Sequence, residues 1–150
     1  ISRVVENLEV NTDKGRQLIL DGVDFIRSYA DKYHHAKEEE ILFKCFDENL
    51  DIIKTMREDH EKARSHVRSI LDGLEKENKN AVIEHLNAYK ELLTEHIKRE
   101  DDILYPWIDR NISITQVGEL FSKFNEIDEQ LQDTPKKYEE FIQGLEDKFK

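Results

Sequence analysis

The sequence predicts an all-α protein: an antiparallel up-down four-helix bundle with two shorter C-terminal accessory helices. Only five glycines and two prolines occur in 150 residues, and apolar residues recur at helical spacing with almost no strand-like alternation. The polar connections between the long amphipathic segments are short, which favours antiparallel neighbours. The four long helices are predicted at about residues 1–10, 14–46, 51–77 and 81–109.

The two accessory helices follow the fourth long segment. Ser113 is a predicted N-cap, and Asp133-Thr134-Pro135 is a start signal for another helix. We therefore expect one domain over residues 1–150, with the bundle in 1–109 and the accessory helices in 110–150. The chain opens in the middle of an amphipathic pattern, so we expect the first helix to continue upstream of Ile1.

Composition and charge exclude several classes of protein. The net charge is -11 with 38% charged residues, and no Lys/Arg cluster is present, which argues against nucleic-acid binding. The single cysteine cannot form an internal disulfide or a thiolate metal cage, so a reducing, cytoplasmic setting is expected. No apolar run approaches the roughly 20 residues needed to cross a bilayer, so no membrane partner is expected.

One sequence pattern occurs twice in the chain. Residues 34–43, HHAKEEEILF, resemble residues 96–105, HIKREDDILY. In each segment a histidine is followed about one turn later by an acid and then by apolar residues. An unpaired buried carboxylate is costly and a metal ion compensates it, so the repetition favours a metal site over two solvated charge runs.

In the fourth helix this pattern is formed by His96 and Glu100. Positions i and i+4 project from one helix face, which suits an imidazole and a carboxylate that share a metal pair inside a bundle. Both residues lie on the apolar stripe that includes Ile103 and Trp107, so both should point inward. Asp101 should face away if the helix is regular.

In the second helix two registers compete. His34 pairs with Glu38, and His35 pairs with Glu39. His35 and Glu39 share a row with Leu42 and Phe46, and Phe43 lies beside it, so this register is preferred, with the other as the alternative.

In the third helix His60 occupies a core position, whereas His66 lies roughly 240° further around the helix. His85 precedes His96 by about 16 Å along the helix axis, so it is left out of the ligand set. The predicted metal ligands are His35, Glu39, His60, His96 and Glu100. Imidazole and carboxylate donors suit two iron ions, oxo- or hydroxo-bridged, although Zn or Mn can use the same donors.

These segments, together with Asp59-His60 and the Leu104-Tyr105-Pro106 run, resemble the hemerythrin-like, or HHE cation-binding, family. The resemblance covers about residues 1–109. It implies a non-haem di-iron centre in a four-helix bundle, with histidines as terminal ligands and glutamates as bridges. It also leaves Asp101 open as a ligand, and it implies a first-helix histidine that would fall just before Ile1. Arg64 stands where oxygen-carrying members have another histidine, and an arginine cannot ligate iron at ordinary pH.

The resemblance implies a protein that binds or senses oxygen, nitric oxide, peroxide or iron, with a small diatomic ligand or peroxide as its partner. Five protein ligands leave open positions on two ions, and we expect incomplete metal occupancy. An enzyme that reduces peroxide or scavenges nitric oxide is the first alternative, ranked lower because no further acid or nucleophile marks a substrate pocket. A helical interaction protein with a vestigial metal site is the second.

Overall fold

The computed structural model describes residues 12–130 and 133–148, and the all-α prediction is confirmed: these ranges contain helices and no strand. The predicted first helix, residues 1–10, lies outside the described residues, so the four-helix arrangement stays a prediction. The helices are α1 (residues 13–45), α2 (Asp51–Glu75), α3 (residues 79–111), α4 (Ile114–Gln130) and α5 (Asp133–Lys148).

Two of these helices change their winding along their length. In π-helical stretches the backbone N–H bonds the carbonyl five residues back, which widens the turn and is frequent at functional sites. α1 consists of an α-helix (Asp13–Phe25), π-helical stretches (Ile26–His35 and Glu38–Leu42) and a 3₁₀ turn (Phe43–Cys45). α3 consists of an α-helix (Lys79–Arg99), a π-helical turn (Glu100–Leu104) and a second α-helix (Tyr105–Asn111).

A tight turn makes α2 and α3 an antiparallel pair. Glu77 takes a left-handed conformation with φ 54°, and the Asn78 N–H donates to the Gly73 carbonyl at 2.8 Å, which closes the C-terminus of α2. The Asn78 side chain then accepts from the Ala81 N–H at 3.1 Å and caps α3. Gly73 permits the close approach of the helices, because a Cβ there would lie 3.0 Å from the Val82 side chain.

The buried apolar residues form two clusters separated along the bundle axis. One lies towards the α2–α3 turn and comprises Ile19, Val23, Ile26, Ala63, Val67, Ile70, Leu74, Val82 and Tyr89. The other lies towards the far ends of these helices and comprises Phe43, Ile53, Met56, Leu104 and Ile108. The level between them is occupied by buried histidines and carboxylates.

The accessory helices α4 and α5 pack on α1. On α4, Asp128 accepts a 2.8 Å hydrogen bond from the Tyr33 hydroxyl. On α5, the Tyr138 hydroxyl donates to Asp24 at 2.9 Å, and its ring lies edge-on to Phe25. Within the described ranges, no helix combines the length and the apolar character needed to cross a membrane.

Candidate metal centre

Three helices place five buried polar side chains at one level. α1 contributes His35 and Glu38, α2 contributes His60, and α3 contributes His96 and Glu100. None of the five exceeds 4% exposure. Charged groups are this deeply buried only when they are paired or bind a metal.

Three imidazoles form the first group of potential ligands. His35, His60 and His96 each offer a nitrogen within 4.8 Å of the others. The Nε2 atoms of His60 and His96 lie 3.2 Å apart, with the ring centroids only 4.8 Å apart. The rings therefore converge at an angle on a shared point rather than facing each other head-on.

A second group lies beside the first. His34, Glu38 and Glu100 also offer ligand atoms within 4.8 Å of one another. The His34 Nε2 is 3.8 Å from Glu38 Oε1 and 3.7 Å from Glu100 Oε1. The two groups touch, because His60 Nε2 is 3.2 Å from Glu38 Oε2 and His96 Nε2 is 3.1 Å from Glu100 Oε1.

A carboxylate and an arginine stand behind His60. The His60 Nδ1 lies 2.7 Å from Glu39 Oε1, and Arg64 donates to the same oxygen at 2.9 Å. This contact places the His60 proton on Nδ1 and leaves the Nε2 lone pair directed to the centre.

The other two buried imidazoles have similar neighbours. His96 Nδ1 lies 3.5 Å from Asp59 Oδ2, which Arg99 also contacts. His35 Nδ1 lies 3.6 Å from Asp31 Oδ1, and the Arg64 Nε donates to that oxygen at 2.8 Å. Each ring therefore has a guanidinium-held carboxylate on its outer side, an arrangement typical of metal-binding histidines.

The pKa values of His35 and Glu100 are shifted in the direction that suits metal binding. Burial, reinforced by the nearby His60, lowers the pKa of His35 to about 2, so its imidazole is neutral at physiological pH. Burial opposes ionisation of Glu100, but the nearby His34 and His96 hold its pKa well below the usual range. The proximity of Glu100 in turn raises the pKa of His34.

The donor atoms fit a bound cation. When Nδ1 carries the only ring proton of His60, the Nε2 lone pair faces Glu38 Oε2 at 3.2 Å, so two acceptors face each other. Buried atoms without a hydrogen-bond partner in the described structure include Glu38 Oε2, Glu100 Oε1 and both ring nitrogens of His35. A cation in the cluster would satisfy the two carboxylate oxygens and one of the two His35 ring nitrogens.

The structure gathers four of the five sequence-predicted ligands, His35, His60, His96 and Glu100, at one level. Glu39, the fifth, is partly exposed and lies on the outer side of His60. The ligand roles of all five stay predictions.

The alternative register brings a further buried carboxylate, Glu38, and the half-exposed His34 to the site. The repeated sequence segment was the signal for Glu38, which corresponds in that repeat to Glu100. Asp101 is exposed. His66 and His85 pair with each other away from the centre, with their Nδ1 atoms 3.1 Å apart.

A family model described as the hemerythrin HHE cation-binding domain matches residues 1–108. Neither the curated proteins nor the solved structures compared with this chain gave a significant match.

Proposed function

This chain belongs to the hemerythrin HHE cation-binding domain family, and on that premise we propose that its buried cluster holds a carboxylate-bridged pair of iron ions. The observation that carries the proposal is the contact between two three-ligand groups. Each group offers enough donors for one cation, and two histidine–carboxylate contacts of 3.2 and 3.1 Å join the groups. Two adjacent sites that share carboxylates suit a metal pair better than two separate ions.

We assign Glu38 and Glu100 as the bridges, with His34, His35, His60 and His96 as terminal ligands. The support for Glu38 is its burial, its unsatisfied Oε2 and its position between His60 and His34. The sequence-based assignment of Glu39 as a bridge stays a prediction; its contact with the Nδ1 of His60 favours an orienting role.

The mixture of imidazole and carboxylate donors favours iron, with manganese or zinc able to use the same ligands. A bound iron pair would supply open coordination positions and a change of oxidation state. Around it, this chain holds His35 neutral, orients His60 through Glu39, and fixes Glu38 by a 3.1 Å hydrogen bond from the Tyr105 hydroxyl.

We further propose that the site binds or senses a small ligand, namely oxygen, nitric oxide or peroxide, or reports the supply of iron. The support for this proposal is that one of the assigned ligands is accessible to solvent. Among the assigned ligands, His34 has a side chain that is 47% exposed, whereas the other five lie below the surface. A small molecule or an exchanging ion can therefore approach on the His34 side.

The test is the metal content of the full chain after expression or reconstitution with excess iron, measured by plasma mass spectrometry together with the optical spectrum. The proposal requires more than one iron ion per chain. His96→Asn should remove iron from the protein, whereas His85→Asn, on the same helix but outside the cluster, should leave the content unchanged.

Ligand binding is tested on the loaded protein by anaerobic addition of nitric oxide and then, separately, of oxygen or peroxide. A reversible spectral change supports binding or sensing, and sustained turnover of peroxide would instead identify an enzyme. A chain that takes up no metal under iron excess, or that keeps full metal content in His96→Asn, would refute the metal centre.

A further inference from the structure

A cavity of about 270 Å³ opens between α1 and α2 and ends against the metal-centre residue His35. It is distinct from the exposed His34 side of the site. Its volume exceeds that of an engineered cavity of about 150 Å³ that holds benzene, so a small organic molecule fits.

Positive charge dominates the polar lining of this cavity. Three guanidinium groups, those of Arg27, Arg64 and Arg68, line it together with one carboxylate, Asp31. Arg64 is engaged by Asp31 at 2.8 Å, and Arg68 is engaged by Glu61 at 2.8 Å. Arg27 forms no ion pair in the described structure, so it is the cation of this lining that is available to a ligand. The local excess of cations contrasts with the net charge of -11 for the chain, and a cleft lined by one sign of charge concentrates ions of the opposite sign.

The inner end of the cavity carries polar atoms without partners. Tyr89 is 1% exposed, lines the cavity, and its hydroxyl has no hydrogen-bond partner in the described structure. Burial, with a contribution from Asp31, raises the pKa of this phenol, so it remains an O–H donor at any physiological pH. A buried donor left unpaired costs free energy, so a ligand that accepts its hydrogen bond is favoured.

We propose that this cavity binds a small monoanion of the carboxylate class, which accepts a hydrogen bond from the Tyr89 hydroxyl and faces the guanidinium group of Arg27. A carboxylate is a suitable acceptor for both donor types, since arginine and hydroxyl donors form their strongest hydrogen bonds with charged oxygens. The bound anion would lie against His35. This inference goes beyond the metal centre and does not require that a metal be bound.

The experiment uses ¹³C-labelled acetate as the probe and acetamide, its neutral counterpart of nearly equal size, as the ligand control. Binding to the full chain is measured by NMR line broadening and chemical-shift titration, with and without iron loading. We expect saturable acetate binding in both preparations and at least about tenfold weaker binding of acetamide.

Tyr89→Phe should weaken acetate binding by about tenfold or more, because it removes one hydrogen bond to a charged group. Arg27→Gln should weaken it severalfold at low ionic strength, and that difference should shrink as salt is added. The matched controls are Tyr33→Phe and Arg110→Gln, which alter a tyrosine and an arginine outside the cavity lining. Both should bind acetate as the unmodified chain does.

Three results would overturn the inference: no saturable binding, equal binding of acetate and acetamide, or unchanged binding in Tyr89→Phe. Acetate binding that appears only after iron loading would also overturn it, because the anion would then be a metal ligand. A chain that binds acetate but no iron would refute the metal centre and leave this inference supported.

Discussion

Three consecutive glutamates of α1 provide a direct test of the ligand assignment. Glu38 is 4% exposed and faces the cluster, Glu39 contacts His60 from the outer side, and Glu40 is exposed. Changing each in turn to glutamine removes one negative charge at nearly constant volume. The three variants therefore differ only in the position from which the charge is lost.

The expected losses of iron affinity follow from these positions. Glu38→Gln removes the anionic oxygen donor that we assign as a bridge, so the bound iron should fall below two ions per chain. Glu39→Gln leaves an amide oxygen that still accepts from His60, so both ions should bind with affinity reduced by about 10–100-fold, or about 1.4–2.8 kcal/mol. Glu40→Gln should change nothing measurable.

Although Glu38→Gln should weaken iron binding, the same substitution should stabilise the fold of the metal-free protein. Glu38 and Glu100 are both buried and offer ligand atoms within 4.8 Å of each other, so without a cation two negative charges there would repel. A glutamine at position 38 removes one such charge and can donate to Glu100, which should raise the free energy of unfolding by about 1–3 kcal/mol.

The assays for this prediction are plasma mass spectrometry of iron per chain, and urea unfolding in the presence of a chelator and after iron loading. If Glu39→Gln lost iron while Glu38→Gln retained two ions, the register preferred from the sequence would be right and our assignment refuted. A Glu38→Gln variant less stable than the parent without metal would contradict the reasoning on buried charge.

Three further predictions concern stability and pH. Gly73→Ala should lower the free energy of unfolding by about 1 kcal/mol or more, as measured by urea unfolding. The reason is that the added Cβ would lie 3.0 Å from the Val82 side chain and 3.3 Å from the Val82 backbone nitrogen. Ile70→Ala, at a fully buried position, should cost about 2–5 kcal/mol in the same assay. The Tyr138 hydrogen bond lowers the pKa of Asp24 below the ordinary value for an aspartate, about 3.9. Its stabilising contribution is therefore present above that pH and is lost as pH falls through the folded pKa. Tyr138→Phe should therefore flatten the decline of stability below about pH 4 in acid-titrated thermal unfolding.

Much of the described fold was predictable because local signals and apolar spacing agree. Helix α2, predicted over residues 51–77, spans Asp51–Glu75. Its end depends on Glu77 in the left-handed conformation, and no glycine or asparagine at that position signals it. The division of the chain at residue 109 stays a prediction.

Where the helix is regular, α-helical spacing correctly predicted which side chains are buried. His60 and His96 lie in α-helical segments, and both are buried as expected. Beyond Glu100 the winding becomes π-helical, so each residue turns through less than the usual angle. As a result Leu104 is fully buried and Ile103, which the sequence placed on the inner stripe, is 51% exposed.

The register in α1 depended on Phe46, which was expected to lie in the same helical row as His35 and Glu39. The helix instead tightens into a 3₁₀ turn and ends at Cys45, and Phe46 is extended, with φ -127° and ψ 170°. A row anchored on Phe46 therefore does not define the inner face. Propensity cannot reveal such changes of winding, because they are set by the packing of side chains across helices.

The repeated segment is the better guide to the ligands, because it is independent of winding. Its two copies form π-helical turns of equal length, Glu38–Leu42 and Glu100–Leu104. In each, the carbonyl of the first glutamate accepts the N–H five residues on, from Phe43 and Tyr105 respectively, and that glutamate's side chain is buried. Both helices become π-helical at the same point of the repeat. Alignment of the two copies therefore still matches Glu38 with Glu100, although counting about 100° per residue does not predict which side chains are buried there. Equivalent carboxylates on facing helices are what a symmetric bridge between two ions requires, so the repeat favours Glu38, and with it His34, as the partners of Glu100 and His96.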